Sequence, residues 1–170
     1  MEAKVAVIMG SDSDLDIMVE AVKVLNDFGV DWEILVSSAH RSPKRTAEFA
    51  RTAEEKGFKV IIAGAGAAAH LAGVLAAETT LPVIGVPIPS SSLKGIDALL
   101  ATAQMPAGIP VATMALGKAG ARNAALLAVE MLALSDGGLK AKIKEYREKL
   151  AKGVEEKDRE VKEKVAGMLK

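Results

Sequence analysis

Five short apolar runs alternate along this chain with segments of helical spacing, and that rhythm leaves few folds open. The runs fall at 4–9, 31–36, 59–63, 83–86 and 110–114. The first, KVAVIM, is apolar almost throughout rather than at every second position, as in a strand covered on both faces. After it, Met18, Ala21, Val22 and Leu25 recur at helical spacing up to Gly29, and Ser13 with Asp16 reads as a capping box. A second helix is predicted over 43–56 with Gly57 as its stop, a third to about Thr79 and a fourth over 95–103. In a fifth, 121–134, Ala124, Leu127, Ala128, Met131 and Leu132 share one face. Ala125, Leu126 and Val129 make its other faces apolar, so it reads as a buried helix. Five buried strands alternating with helices mean a parallel sheet between helical layers. The expected class is α/β: a three-layer αβα sandwich with a flavodoxin-like sheet of order 2-1-3-4-5.

At 170 residues the chain suits one core. Asp136-Gly137-Gly138 ends the β-α unit, and beyond it the composition turns to Lys and Glu. There Leu139, Ile143, Tyr146, Leu150, Val154, Val161 and Val165 trace one stripe. The division expected is therefore an α/β domain, 1–135, and a helical extension, 136–170. The extension reads as one or two amphipathic helices lying on the same domain or on a neighbouring subunit. Lys plus Arg and Asp plus Glu both number 22, and this balance argues against nucleic-acid or membrane-surface binding. No apolar run is long enough to span a bilayer and the start resembles no signal peptide, so the expected location is the cytoplasm. The absence of cysteine removes disulfides, thiol nucleophiles and thiolate metal sites.

In such a sheet the β-α loops gather at the carboxyl edge, where ligands bind. The loops read from the sequence are 10–14, 37–43, 64–73, 87–95 and 117–120. Gly10-Ser11-Asp12-Ser13-Asp14 sets hydroxyls and backbone N–H groups at a helix start, which suits an anion; Asp14 better suits sugar hydroxyls. In the second loop Arg41 offers bidentate binding to phosphate or carboxylate, and histidine both gives and takes protons near neutrality. Ser42 before Pro43 reads as the cap of the helix that follows, so His40 and Arg41 sit on a strand-to-helix turn. The third loop carries a loose G-x-G-x-x-A at Gly64, Gly66 and Ala69. It follows the third strand and lacks the acidic residue about 20 positions on, so it is no dinucleotide fingerprint. His70, at or just inside a helix start, reads as a structural or supporting residue rather than a catalytic one. Residues 87–95 read as a lid, a hydroxyl-rich wall or a solvated connector. Two histidines without a third ligand make no zinc site, and no G-x-S-x-G elbow is present.

Several blocks stand in a familiar order: Gly10-Ser11-Asp12-Ser13-Asp14, Ser38-Ala39-His40-Arg41, Ala63-Gly64-Ala65-Gly66 with Ala68-Ala69-His70-Leu71, then Pro82 to Pro87, Gln104-Met105-Pro106 and Gly117-Lys118-Ala119-Gly120. Over about 4–134 they resemble the class I N5-carboxyaminoimidazole ribonucleotide mutases of de novo purine biosynthesis, also called the catalytic subunit of phosphoribosylaminoimidazole carboxylase. The resemblance implies conversion of N5-carboxyaminoimidazole ribonucleotide to 4-carboxy-5-aminoimidazole ribonucleotide, with no cofactor, metal or ATP. It implies that Ser11, Asp14 and Arg41 bind the ribose phosphate, that Ser13 and Ser38 assist, and that His40 is the acid/base. Ala65, Gly66, His70 and Leu71, in the 64–71 loop, would hold the aminoimidazole and the migrating carboxylate. It further implies a small-molecule substrate as partner and a homo-octamer with sites near subunit contacts. The alternative on the same scaffold is a class II carboxylase that uses CO2 directly. From other classes come a non-catalytic phosphate sensor and an assembly module. The chain departs from the family at Ala67, where Gly is usual, and at Ala72, where Pro is usual. If position 67 needs a positive φ, its methyl group strains the loop.

Overall fold

The computed structural model describes residues 4–169. Two compact units divide it, the first ending at Met131 and the second beginning at Leu132.

The first unit is built on five parallel strands: β1 (Val5–Met9), β2 (Trp32–Val36), β3 (Val60–Gly66), β4 (Val83–Ile88) and β5 (Ala112–Thr113). Their order is β2-β1-β3-β4-β5, the flavodoxin-like order expected. β1 lies between β2 and β3 and is at most 4% exposed anywhere along its length, which its uniform apolar sequence requires. The edge strands differ from the expectation of five buried strands. β2 has no fully buried position, with Glu33 and Val36 exposed and the rest half-buried, and β5 pairs only Ala112 with Ile84 and Thr113 with Gly85. An edge strand has one neighbour, so one side stays open to solvent.

β3 and β4 run past their predicted ends. Gly64, Ala65 and Gly66 are strand, in register with Val86, Pro87 and Ile88. Small residues are needed there because other groups press on them. A Cβ on Gly64 would lie 2.3 Å from Met18 Sδ, and one on Gly66 would lie 1.9 Å from Ser90 Oγ. Pro87 is tolerated because β5 stops short of it, leaving an open edge where a missing N–H breaks no ladder.

The helices of this unit are α1 (Leu15–Phe28), α2 (Pro43–Thr52), α3 (Leu71–Glu78), α4 (Ile96–Ala103) and α5 (Gly117–Leu132). The capping box at Ser13 is not formed. A 3-10 turn, Asp12–Asp14, stands before α1, so Ser13 is not at the cap; instead Ser13 N–H donates to Ser11 Oγ at 3.4 Å. Asp14 is the cap residue and makes no side-chain cap bond. Ser42 holds the cap position of α2 as expected, but its hydroxyl makes no cap bond; it is taken by Ser38, accepting from Ser38 N–H and donating to Ser38 C=O, each at 3.0 Å. α2 ends at Thr52, short of the predicted Lys56, and turns carry the chain to Gly57. α5 starts at Gly117, so 117–120 is its first turn rather than a loop. Its buried face is the small one, Gly120, Ala121, Ala124, Ala125, Ala128 and Val129, while Leu127, Met131 and Leu132 are only half-buried. α5 is tied to α1 through Glu20, a buried carboxylate that accepts from Lys23 Nζ at 2.6 Å and Arg122 Nε at 2.7 Å.

The second unit contains a single helix, α6 (Gly137–Met168). Asp136 starts it, accepting from the N–H groups of Gly138 and Leu139 at 2.9 and 3.0 Å. Asp136-Gly137-Gly138 therefore opens a helix. Along the predicted stripe Leu139 is buried, but Leu150, Val154, Val161 and Val165 are exposed. Pairs at i,i+4, Glu145 with Lys149 and Asp158 with Lys162, support the exposed surface.

Candidate active site

The turns that follow β1, β2, β3 and β4 meet at the carboxyl edge of the sheet around a cleft of about 320 Å³. Each turn is held by its own short-range bonds. After β1, Ser13 Oγ donates to Ser11 Oγ at 2.9 Å, and Asp14 N–H to Ser11 C=O at 3.2 Å, closing the 3-10 turn. After β2, Ser37 and Thr46 share a buried hydroxyl–hydroxyl bond of 2.7 Å, and Thr46 Oγ1 also donates to Ser42 C=O. These bonds fix the ends of the turn that carries His40 and Arg41.

Arg41 crosses from the second turn to the first. Its Nη2 donates to Gly10 C=O at 3.0 Å, and its Nε and backbone N–H both reach Ser38 Oγ, at 3.4 and 3.1 Å. The guanidinium has five N–H groups, so donors remain for an anion in the cleft, and the side chain is exposed there. Asp14 lies opposite and is buried. Burial pushes its carboxyl above the ordinary value, and the hydrogen bonds from the Ser11 and Ser13 turn only partly oppose this. An anion anchor thus stands beside an acceptor short of partners, an arrangement that fits a molecule bearing both a phosphate and hydroxyl donors.

His40 Nε2 lies 2.8 Å from His70 Nδ1, with the rings edge to face at 5.0 Å between centroids. The bond needs one proton between the two nitrogens, so the pair holds a proton at a defined place and leaves the other His40 nitrogen for a ligand. The partner comes from the cap position of α3, thirty residues on. Between β3 and α3, Ala67 sits at φ +48, so the methyl group does occupy a left-handed position. Ala65, Gly66, Ala68 and Leu71 give the cleft an apolar wall.

Of the residues singled out by sequence, Ser11, Ser13, Asp14, Ser38, His40, Arg41, Ala65, Gly66 and Leu71 all line the cleft. His70 does not line it and meets it through His40. Gly10, Ala39, Ala68 and Ser90 line it without having been singled out. For Ser90 the signal was present, since the 87–95 segment reads as a hydroxyl-rich wall. Gln104-Met105-Pro106 and 117–120 do not line the cleft; Met105 packs instead against Gly73, its Sδ 3.0 Å from where a Cβ would stand. Among the described residues no group of three or more His, Asp or Glu could hold a metal ion.

The family model described as AIR carboxylase matches residues 4–153. This chain belongs to the AIR carboxylase family. Among its relatives, the N5-carboxyaminoimidazole ribonucleotide mutase of Pyrococcus abyssi is 63% identical over 145 residues, 85% of this chain and 82% of that protein. The protein of the same name from Thermotoga maritima is 51% identical, over 91% of this chain and 89% of its own. Among solved structures, a PurE from Treponema denticola superposes with a TM-score of 0.82 at 28% identity, covering 92% of this chain and 96% of that one. The family match extends through the whole α/β unit and into the first half of α6.

Proposed function

We propose that this chain is an N5-carboxyaminoimidazole ribonucleotide mutase of de novo purine biosynthesis, with His40 as its acid/base. The observation that carries the reading is one cleft that holds His40, backed by its bond to His70, at one place and Arg41 with Asp14 at another. Relatives bearing the mutase name at 51–63% identity support it.

Arg41 binds the phosphate, with Ser11, Ser13 and Ser38 holding the turns that present it, and Asp14 accepts from ribose hydroxyls. The ring is thereby set against His40, a proximity effect. His40 gives a proton to N5 as the N5–C bond breaks, and the bonding electron pair stays on nitrogen. The freed CO2 is attacked by C4, whose ring electrons form the new C–C bond. His40 then takes the C4 proton, and the ring regains its aromaticity. The proton given at N5 returns from C4, so the cycle balances without oxidant, reductant or second substrate. Ala65, Gly66, Ala68 and Leu71 keep water from the CO2.

The test is conversion of N5-carboxyaminoimidazole ribonucleotide without ATP or bicarbonate by wild type and His40→Asn. The expected result is C4-carboxylated product from wild type and a loss of roughly 10²–10⁴ in kcat in the variant. Turnover only of aminoimidazole ribonucleotide with added CO2 would move the assignment to the direct carboxylase. Tight binding of the ribonucleotide with no turnover would leave a sensor. The protein is further proposed to act in the cytoplasm as a homo-octamer. Exposed Leu93, Ile96 and Leu100, on and beside α4, support association. Sedimentation as a monomer at micromolar concentration would overturn it.

A further inference from the structure

We propose that Ser90 is the hydrogen-bond donor to the migrating carboxyl group, and so a residue that touches the reacting atoms; this rests on the mutase reading above. The serines of the first two turns are already engaged. Ser11 Oγ donates to Asp12, Ser13 Oγ donates to Ser11, and Ser38 Oγ accepts from both the backbone N–H and Nε of Arg41, which ties it to that side chain rather than to the apolar wall. Among the described residues, Ser90 is the serine on the cleft whose hydroxyl has no hydrogen-bond partner.

The backbone places that hydroxyl with care. Ser90 N–H donates to Ile88 C=O at 2.9 Å, a three-residue turn with Pro89 at its centre. The proline ring holds φ near −65°, close to the value such a turn needs, so the residue type and the turn agree. The turn folds Ser90 back over the end of β3, where its Oγ takes the space of the missing Gly66 side chain, 1.9 Å from where a Cβ would be. Gly66 is thus bare because Ser90 lies on it. The hydroxyl ends at the apolar wall of Ala65, Gly66, Ala68 and Leu71.

That location is where the chemistry lacks a partner. Arg41 and Asp14 serve the ribose phosphate, and His40 serves the proton. The carboxyl group is a carboxylate at the start and the end but neutral CO2 between. A cation there would favour both charged forms and oppose release. A neutral hydroxyl donates to either form, and it steadies CO2 for attack by C4 instead of escape.

The test uses Ser90→Ala and Ser90→Cys in the full-length protein, with thermal unfolding as the check on folding. Cysteine keeps the shape over Gly66 but is a weak donor. With N5-carboxyaminoimidazole ribonucleotide as substrate, both variants are expected to lose at least about tenfold in kcat with KM changed less than about threefold, because the phosphate anchor is intact. Both should also divert more of the consumed substrate to aminoimidazole ribonucleotide plus CO2. Wild-type kcat and wild-type partition in Ser90→Cys would overturn the donor role and leave only the fit against Gly66. A rise in KM with kcat unchanged would overturn it too, placing Ser90 in uniform binding. Failure of wild type itself to form product would instead strike the mutase reading beneath.

Discussion

Asp14, at the cap of α1, and Glu20, near the middle of the same helix, are carboxylates six residues apart, each 6% exposed, and they carry opposite electrostatic signatures. Glu20 is gripped by Lys23 and Arg122, which hold its carboxyl down at about 2. Asp14 has only serine and backbone donors, and burial pushes its carboxyl up. The difference lies in partners, and it separates two uses of a buried acid. Glu20 completes its own ion pairs and joins α1 to α5. Asp14 is left short of donors at the mouth of a cleft, where a ligand supplies what the fold withholds. A buried charge without its partner costs stability, and sites are where such costs collect.

The strongest way to break this contrast is Asp14→Asn. On the proposed reading, a carboxylate accepting from ribose hydroxyls contributes about 10–100-fold in affinity, which the amide forfeits. The same change removes an unfavourable buried charge. KM for the ribonucleotide should rise by that factor while Tm rises by roughly 1–3 °C at neutral pH. The sign has a pH signature. An acid whose folded value is raised weighs against folding above its unfolded value of 3.8 and not below it. The Tm advantage of Asp14→Asn should therefore vanish as the pH falls below about 3.8. A fall in Tm at pH 7 would mean that Asp14 is as well satisfied as Glu20, and the comparison would collapse.

Glu20→Gln sharpens it from the other side. The amide can receive neither cation as an ion pair, so Tm should fall by several degrees while kcat and KM stay at their wild-type values. Because the folded carboxyl is held at about 2 against an ordinary 4.5, its contribution is full above 4.5 and is lost as the pH falls toward 2. Wild type should show that acid limb in its unfolding midpoints, and Glu20→Gln should lack it. A kinetic defect in this variant would carry Glu20 into the site and erase the distinction.

Much of this arrangement was open to a reading of residues alone. The strand–helix rhythm led to the sheet order, and the polar residues fell in the turns that form the cleft. What stayed hidden involves groups far apart in the chain. The bond between His40 and His70 joins two turns, and no local spacing announces it. The free hydroxyl of Ser90 is visible only by elimination, once the other serines are seen to be engaged. Gly64 and Gly66 read as loop because glycine has low strand propensity; they are strand because Met18 and Ser90 require the room. Ser13 reads as a cap and lies instead inside the 3-10 turn; Ser42 does hold the cap position of α2, but its hydroxyl closes the turn before it. Serine serves either purpose, and only the backbone path decides between them.

Ala67 offers the smallest and cleanest test, because it concerns strain rather than charge. It sits at φ +48 on the turn between the apolar wall and His70. Such a backbone costs an L-residue with a Cβ about 1–2 kcal/mol, whereas glycine adopts it freely but loses about 0.4–1 kcal/mol through the greater freedom of its unfolded chain. The net gain of Ala67→Gly is about half a kcal/mol to one, or roughly 1–4 °C in Tm for a chain of this size. The Asp14 and Ala67 gains differ in kind. The first disappears in acid and carries a loss of affinity. The second should hold at all pH values, and KM should stay near wild type because neither Arg41 nor Asp14 moves. If Ala67→Gly raises Tm and lowers kcat together, the methyl group is holding the turn in the geometry that His70 and His40 need. The strain would then belong, like the unpaired charge on Asp14, to the working of the site.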